Sequence, residues 1–491
     1  MADLRKYTRE CLETLFDLDL GEGGVLQKLQ PVRAVPDKRL VCRGVWQGKP
    51  VFTKIFIGDA ARRYAERDAT GFRLLQDAGV DTPELLFSGV AKQLDGSEAH
   101  VLIYAAIESG LNAESLWSEL DANGRFSLAA KLVAIIAQHH RAGLLQTDLY
   151  LKNFLVDEEK IYTIDGDGIR RLPRFRRRAA EEDNLAMLLS KFDVLETDAW
   201  MPALLQNYAK HRMGQAAPDA VRLDRRVAYF RRKAVSAYAE KKVFRQCTDV
   251  VVWQSWRKFL AITRSSVTGS LAQMLRDMPD SLVDDIKAKR LKSGNTCTVS
   301  LVQIDELNYV VKRYNIKSFR HWLSRFWRPS RAASSWVNAH RLLMYNISTP
   351  LPVALLEYRY GPVRDRAYFV AHYVDAPDLA EWLGSRNVTE SQKRAGMKAL
   401  ARLIHKLQRL QIVHGDLKAS NIRMVDTEPM LIDLDSMREL RCRALFERGH
   451  VRDLKRLLRN WEEQSWERQE LAKALVAEFG ESAMLQRVMK Y

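Results

Sequence analysis

Residues 413–437 read VHGDLKASNIRMVDTEPMLIDLDSM, and the fold turns on how this stretch is understood. Asp416 is followed five residues later by Asn421, and twelve residues after that by Asp433. The same offsets occur in LLQTDLYLKNFLVDEEKIYTIDGDG, residues 144–168, as Asp148, Asn153 and Asp165. One Asp-x-x-x-x-Asn is common in turns and one IDLD is often only a strand end. Two sets with identical spacing are hard to obtain by accident.

The surroundings repeat as well. SLAAKLVAIIAQHHRAG precedes the first set and SQKRAGMKALARLIHKLQRLQ the second. Both carry apolar residues at intervals of three and four, the pattern of a helix with one face on a core. Farther upstream, RLVCRGVWQGKPVFTKIF and CTVSLVQIDELNYVVKRY each read as two alternating, β-branched runs across a short polar turn, which predicts hairpins. Each hairpin ends near a lysine. Lys54 lies 94 residues before Asp148, and Lys312 lies 104 residues before Asp416. The chain of 491 residues therefore reads as one module used twice. The boundary is expected between about 214 and 281, in a charged and aromatic stretch read as helices, with domains of 1–265 and 266–491.

Such a set suits phosphoryl transfer to an alcohol. That reaction needs charge neutralisation, in-line positioning and a proton acceptor near the hydroxyl. A strand lysine can hold nucleotide phosphates, a loop Asp can take the proton, and an Asn with a second Asp offers oxygen ligands to Mg²⁺. HGDLKASN follows the kinase catalytic-loop pattern H-x-D-x-x-x-x-N. The expected fold is α+β: two tandem protein-kinase-like bilobal domains, each with a small antiparallel-sheet N-lobe and a mainly helical C-lobe. The N-lobes are expected to run to about 104 and over about 283–373. The expected bases are Asp148 and Asp416. The expected metal ligands are Asn153, Asp165, Asn421 and Asp433. Lys54, Lys312 and Lys418 are expected on the phosphates, with Glu66 as the ion-pair partner of Lys54 and Asp68 second to it. In the second module Asn338 stands where a Glu is expected. Gln146 replaces the loop histidine of the first module, and Tyr150 stands where the second has Lys418, with Lys152 nearby. Neither module has an obvious nucleotide loop of the G-x-G-x-x-G type; Gly44 and Gly48 in the first and Gly294 in the second are candidates for its place.

DLYLKNFLV with YTIDGDGIRR, RRYAERDATGFRLLQDAGVDTPELL and SSWVNAHRLLMYNISTPLPVALLEY resemble the bacterial lipopolysaccharide core kinases that act on heptose or 3-deoxy-octulosonic acid (Kdo). The resemblance covers most of 30–200 and 285–460. It implies an enzyme using ATP and Mg²⁺ at the cytoplasmic face of the inner membrane, with a sugar hydroxyl of lipid A–core as acceptor. Another kinase of the same fold, acting on a small molecule or a protein, and a pseudokinase scaffold for core assembly are the alternatives.

Composition limits the rest. The formal charge of +17 favours an anionic partner. No zinc-finger spacing or RRM-like aromatic signature supports nucleic acid, which is not expected as a partner. No run approaches the ~20 apolar residues of a membrane span, and no apolar signal core follows the first residues. The five cysteines form no CxxC, so neither a disulfide framework nor a cysteine metal cluster is expected, and a reducing cytoplasm fits. His139 and His140 read as packed or capping residues. Six arginines between Arg170 and Arg178 read as a binding surface for phosphate or carboxylate. KSFRHWLSRFWRPSR, with Trp322 and Trp327, is expected to help the protein bind an anionic membrane surface.

Overall fold

The structure, a computed structural model, describes residues 3–10, 14–92, 96–107, 110–157, 160–213, 216–267, 269–285, 288–294, 297–314, 329–360, 363–480 and 483–489. The aromatic segment around Trp322 and Trp327 lies outside them. The architecture is mixed α/β with antiparallel sheets. The chain forms two compact units, one of residues up to Phe192 with Glu196–Arg231, the other of Asp193–Leu195 with Arg232 onward.

In the first unit six strands make one sheet: β1 (Phe16–Asp19), β2 (Val25–Val35), β3 (Arg39–Trp46), β4 (Lys49–Phe56), β5 (Leu85–Lys92) and β6 (Glu98–Ala105). Their order is β1-β2-β3-β4-β6-β5. The β3–β4 hairpin turns at Gln47 and Gly48, which have φ of 51° and 75°. Two positive φ values in a two-residue loop match the twist of the strands they join. Alternation along β4 buries Val51, Thr53 and Ile55. That leaves Lys54 on the other face, level with Val41 on β3 and Leu102 on β6. Helix α1 (Ala61–Asp77) packs there, burying Ala61, Ala65, Asp68, Ala69, Phe72 and Leu75. Helices α2 (Ala122–Arg141) and α3 (Arg177–Leu189) build a separate apolar core with Leu132, Ile136, Phe154, Leu185 and Leu189.

The second unit has a seven-stranded sheet: β7 (Val250–Gln254), β8 (Lys258–Thr263), β9 (Lys289–Gly294), β10 (Cys297–Ile304), β11 (Leu307–Tyr314), β12 (Pro352–Tyr360) and β13 (Val363–His372). The order is β7-β8-β12-β13-β11-β10-β9. The β10–β11 hairpin turns at Asp305 and Glu306, again both with positive φ, and sets Lys312 level with Val299 and Phe369. Helix α4 (Arg331–Met344) packs beside it, starting at a Ser330 side chain that accepts the Ala333 N–H. Helices α5 (Glu390–Arg409) and α6 (Arg443–Leu458) bury Met397, Leu400, Ile404, Leu454 and Leu457.

The units do not divide at 265/266. VVVWQ and KFLAIT, within the stretch expected to be helical, form β7 and β8, and β8 pairs with β12 from Lys258 opposite Tyr358 to Ile262 opposite Ala354. This pairing buries Phe259, Leu260, Ala261 and Ile262, so the hairpin belongs to the second sheet. The second sheet therefore starts near 250, not 283. Helix in that stretch flanks the hairpin, over Ala220–Ser236 with a further turn, Ala237–Lys241, before it and over Gly269–Asp277 after it. Among the described residues no helix is long and apolar enough to cross a membrane.

Candidate active sites

Lys54 Nζ lies 2.8 Å from a carboxylate oxygen of Asp68, 3.4 Å from the Ile164 carbonyl and 3.7 Å from Asp165 Oδ1. The rings of Phe72 and Tyr104 flank the ammonium at 5.1 and 5.5 Å, where their faces attract a cation. Asp68 is wholly buried and also accepts the Asp167 N–H at 3.0 Å. Burial pushes its carboxyl up, against the pull of Lys54. Glu66, the expected partner, points away: its side chain is 62% exposed and pairs with Arg62 one turn back. Positions 66 and 68 are about 200° apart on a helix, so only one can face the sheet. The stripe of Ala61, Ala65 and Phe72 selects Asp68.

Asp148 follows the short strand Leu144–Gln146. Its carbonyl accepts Asn153 Nδ2 at 3.0 Å and Gln146 Nε2 at 3.4 Å. Gln146 is thus bonded to the loop backbone at the position of the missing histidine, and Asn184 Nδ2 donates to its carbonyl at 2.6 Å. Burial, then the Asp165 charge, raises the Asp148 carboxyl, while Lys191 and Lys152 oppose the rise. Asp165 Oδ1 is buried and accepts no hydrogen bond among the described residues.

Across the second unit the frame is similar and the details differ. Lys312 Nζ pairs with Asp433 Oδ1 at 2.9 Å. Asn421 Nδ2 donates to the Asp416 carbonyl at 2.8 Å and its carboxylate at 3.1 Å. Lys418 lies 3.7 Å from the Asp416 carboxylate, and Arg456 of α6 lies 2.5 Å from it. His414 Nε2 bonds the Ile432 carbonyl at 3.0 Å, which leaves Nδ1 to accept the Asp416 N–H at 3.4 Å. Burial holds this imidazole below its usual value, hence neutral. Asp453 of α6 accepts the Gly415 N–H on both oxygens at 3.1 Å and anchors the loop. Burial opposes ionisation of Asp433, but the Lys312 ion pair and hydrogen bond outweigh it and hold the carboxyl below its usual range. Asp433 also sits in the left-handed region, φ 61° and ψ 56°, unlike Asp165 at φ −127° and ψ 97°. Non-glycine residues there store of order 1 kcal/mol or more and cluster at functional sites.

Asn338 does not take the place of an acidic partner. Its Nδ2 donates to the Leu434 and Met437 carbonyls at 2.8 and 3.0 Å, tying α4 to the loop after Asp433. Registering α1 and α4 on their common Arg-Leu-Leu, 73–75 and 341–343, puts the buried Trp336 opposite Asp68. Arg331 makes the other tie, to Asp435 at 2.6 Å. A cavity of about 340 Å³ opens between the sheet and this loop, lined by Val299, Val310, Lys312, Phe369, Asn421 and Asp433. Gly294 borders it, whereas Gly44 lies within β3 against Leu29 and Gly48 serves the hairpin turn.

The remaining expected residues fall as follows. His140 is buried between the Tyr208 hydroxyl at 2.7 Å and Asn184 at 3.0 Å, and His139 bonds Thr163. Burial lowers their pKa values to about 4 and about 3. Of the six arginines, Arg170 bonds the Asp167 and Ile169 carbonyls, Arg177 bonds Glu181 and Arg178 pairs with Glu182. Arg171, Arg174 and Arg176 make no such pair among the described residues, and Phe175 in their midst is 89% exposed.

A strand lysine beside the last carboxylate of an Asp, Asn, Asp set is an arrangement that suits phosphoryl transfer to an alcohol. The profile of the lipopolysaccharide kinase (Kdo/WaaP) family matches residues 57–208 and 275–477, most of the chain, taking in both Asp, Asn, Asp sets and Lys312 and beginning three residues after Lys54, so the chain belongs to that family and is a kinase for a sugar hydroxyl. Among solved structures it is similar to WaaP in complex with acyl carrier protein, at 18% identity and a TM-score of 0.35, over 47% of this chain and 92% of that one. No curated protein matches.

Proposed function

We propose that the chain is a tandem kinase in which each unit is a bilobal protein-kinase-like domain, the first from the N-terminal sheet to about 231 and the second from about 232 onward. Each transfers a phosphoryl group from ATP to a heptose or Kdo hydroxyl of the lipopolysaccharide inner core. The observation that carries this is the duplicated arrangement: Lys54 beside Asp165 at 3.7 Å and Lys312 beside Asp433 at 2.9 Å, each with a loop where Asn153 or Asn421 grips Asp148 or Asp416.

In this account Asp148 and Asp416 accept the hydroxyl proton, Lys54 and Lys312 hold the nucleotide phosphates, and Lys418 steadies the transferring group. Asp165 with Asn153, and Asp433 with Asn421, would hold Mg²⁺. The donor set fits. Each Asn spends its Nδ2 on the loop, leaving Oδ1 for a cation, and Asp165 Oδ1 has no hydrogen bond among the described residues. Each set then offers one carboxylate and one amide oxygen. This suits Mg²⁺, which takes one or two carboxylates and completes its shell with water and substrate phosphates. Bound there, the ion would neutralise charge on the phosphates.

The exposed Phe175, among three arginines that make no ion pair among the described residues, supports work at the anionic cytoplasmic face of the inner membrane, on an acceptor with phosphates and carboxylates of its own. A second account, in which the second unit only supports the first, is favoured by Trp336 standing where an acidic partner for Lys312 would be. Equilibrium dialysis with Mg²⁺ and ATP should find two sites per chain, one lost in Lys54→Met and the other in Lys312→Met. One site, insensitive to Lys312→Met, would favour the supporting role, and no site would refute the proposal.

A further inference from the structure

The two catalytic loops differ where charge matters. In the second unit Lys418 stands two residues after Asp416, 3.7 Å from its carboxylate. In the first unit that position is Tyr150, which brings no charge. Two ammonium groups converge on its ring instead, Lys152 at 5.1 Å and Lys191 at 4.2 Å from the centroid. Lys152 is exposed, as a solvated lysine would be. Lys191 is half-buried and comes from outside the loop, just past the end of α3. Its position is fixed on both sides. Its N–H bonds the Leu188 carbonyl at 2.9 Å, and the next residue, Phe192, is buried and stacked on Trp117 at 4.7 Å.

Among the described residues the Lys191 ammonium has no hydrogen bond and no carboxylate within ion-pair distance. Asp148 is the first anion it feels. Partly removing an ammonium from water without a partner is unfavourable, and such groups persist where an anion is to be met. The second unit shows that a helix following the catalytic loop can deliver a cation to the loop Asp, since Arg456 of α6 reaches Asp416 at 2.5 Å. The anion to be met beside Asp148 is the phosphoryl group in transit.

We propose that Lys191 is the catalytic cation of the first site, contacting the transferring phosphate in place of the loop lysine of the second, with Tyr150 as the platform that aims it. This rests on the first unit being a phosphotransfer site. Lysine is a compact charge on a flexible stem, so the same point can be reached from a different element.

The test uses the full chain with Asp416→Asn, so that only the first site turns over, assayed with ATP, Mg²⁺ and lipopolysaccharide stripped of its phosphates. Lys191→Met should lower kcat about 10²- to 10³-fold, the range for removing one preorganised charge-stabilising donor. The KM for ATP should change far less, because Lys54 still holds the nucleotide. Adding Tyr150→Lys to Lys191→Met should restore turnover about tenfold or more, since it recreates the second unit's loop. Lys152→Met should cost less than Lys191→Met. Undiminished turnover in Lys191→Met would overturn the proposal, as would a larger loss in Lys152→Met or a loss that Tyr150→Lys does not rescue. If Asp416→Asn alone abolished turnover, the first site itself would be refuted, an outcome distinct from failure of the Lys191 assignment.

Discussion

Replacing Asp68 by Ala should destabilise the first unit far more than replacing Glu66, although both sit on the same helix two residues apart. Asp68 is wholly buried, Lys54 is 12% exposed, and their charges are 2.8 Å apart. Removing one partner of a buried pair costs about 3–5 kcal/mol, mostly because the other charge is stranded. Asp165, 3.7 Å from the ammonium, offers a substitute partner and argues for the lower end. The Asp167 N–H, which loses its acceptor, adds part of the ~1–3 kcal/mol of an unsatisfied donor. About 4 kcal/mol is the expected sum. At ~2–4 °C per kcal/mol for a unit of this size, the first unit's calorimetric transition should fall by about 8–16 °C. Glu66→Ala removes an exposed pair one helical turn apart with Arg62, worth about 0.3–0.5 kcal/mol, and should shift it by ~2 °C or less. Neither change should move the transition of the second unit. Equal shifts for the two variants, or a larger one for Glu66→Ala, would refute the assignment of Asp68 as the partner of Lys54.

Gly71→Ala, on the same helix, sets two effects against each other: alanine gains about 1 kcal/mol of helix propensity, but its Cβ would strike Gly166, with the carbonyl carbon at 2.6 Å. Backbone cannot yield as a side chain can, so overpacking of about 1–3 kcal/mol or more should win, and a raised melting temperature would contradict the close approach. The Asp148 carboxyl is raised by burial and by Asp165, and in its proposed role as base it must be ionised, so the acid limb of the first site's pH–rate profile should lie above the ordinary aspartate value of about 3.9. Lys152→Met removes a cation that opposes the rise and should move that limb higher; a downward move would contradict the electrostatics. Phe175→Ser combined with Arg174→Glu and Arg176→Glu should weaken cosedimentation with anionic liposomes while leaving stability within about 0.5 kcal/mol, because all three side chains are exposed. Unchanged sedimentation would dissociate this loop from the membrane.

What the sequence reveals here depends on how local the constraint is. Lys54 and Lys312 are legible because each sits in an alternating strand beside a two-residue turn, and both constraints are contained in eighteen residues. The Asp, Asn, Asp offsets are legible because a loop and the hairpin after it have fixed lengths. Asp68 was within reach: its phase with Ala61, Ala65 and Phe72 outweighs the habit of expecting a glutamate. Asn338 was misleading, since an amide on the inner face of a helix looks like a substitute for a carboxylate until its bonds to the Leu434 and Met437 carbonyls are seen. The hairpin at 250–263 was masked by the charge of its flanks, and its partner β12 lies about ninety residues away. Lys191, Arg456 and Asp453 gave no signal. They reach the catalytic loops from helices whose docking is settled by the core, and no spacing rule connects them to Asp148 or Asp416.

The proposal of two working sites is tested most directly by mapping phosphate on the core sugars of strains carrying the wild-type chain, Asp148→Asn, Asp416→Asn and the double variant. Two working sites predict that each single variant loses phosphate that the other retains, and that the double variant loses both. Core phosphorylation in the double variant equal to that of the wild type would contradict the account.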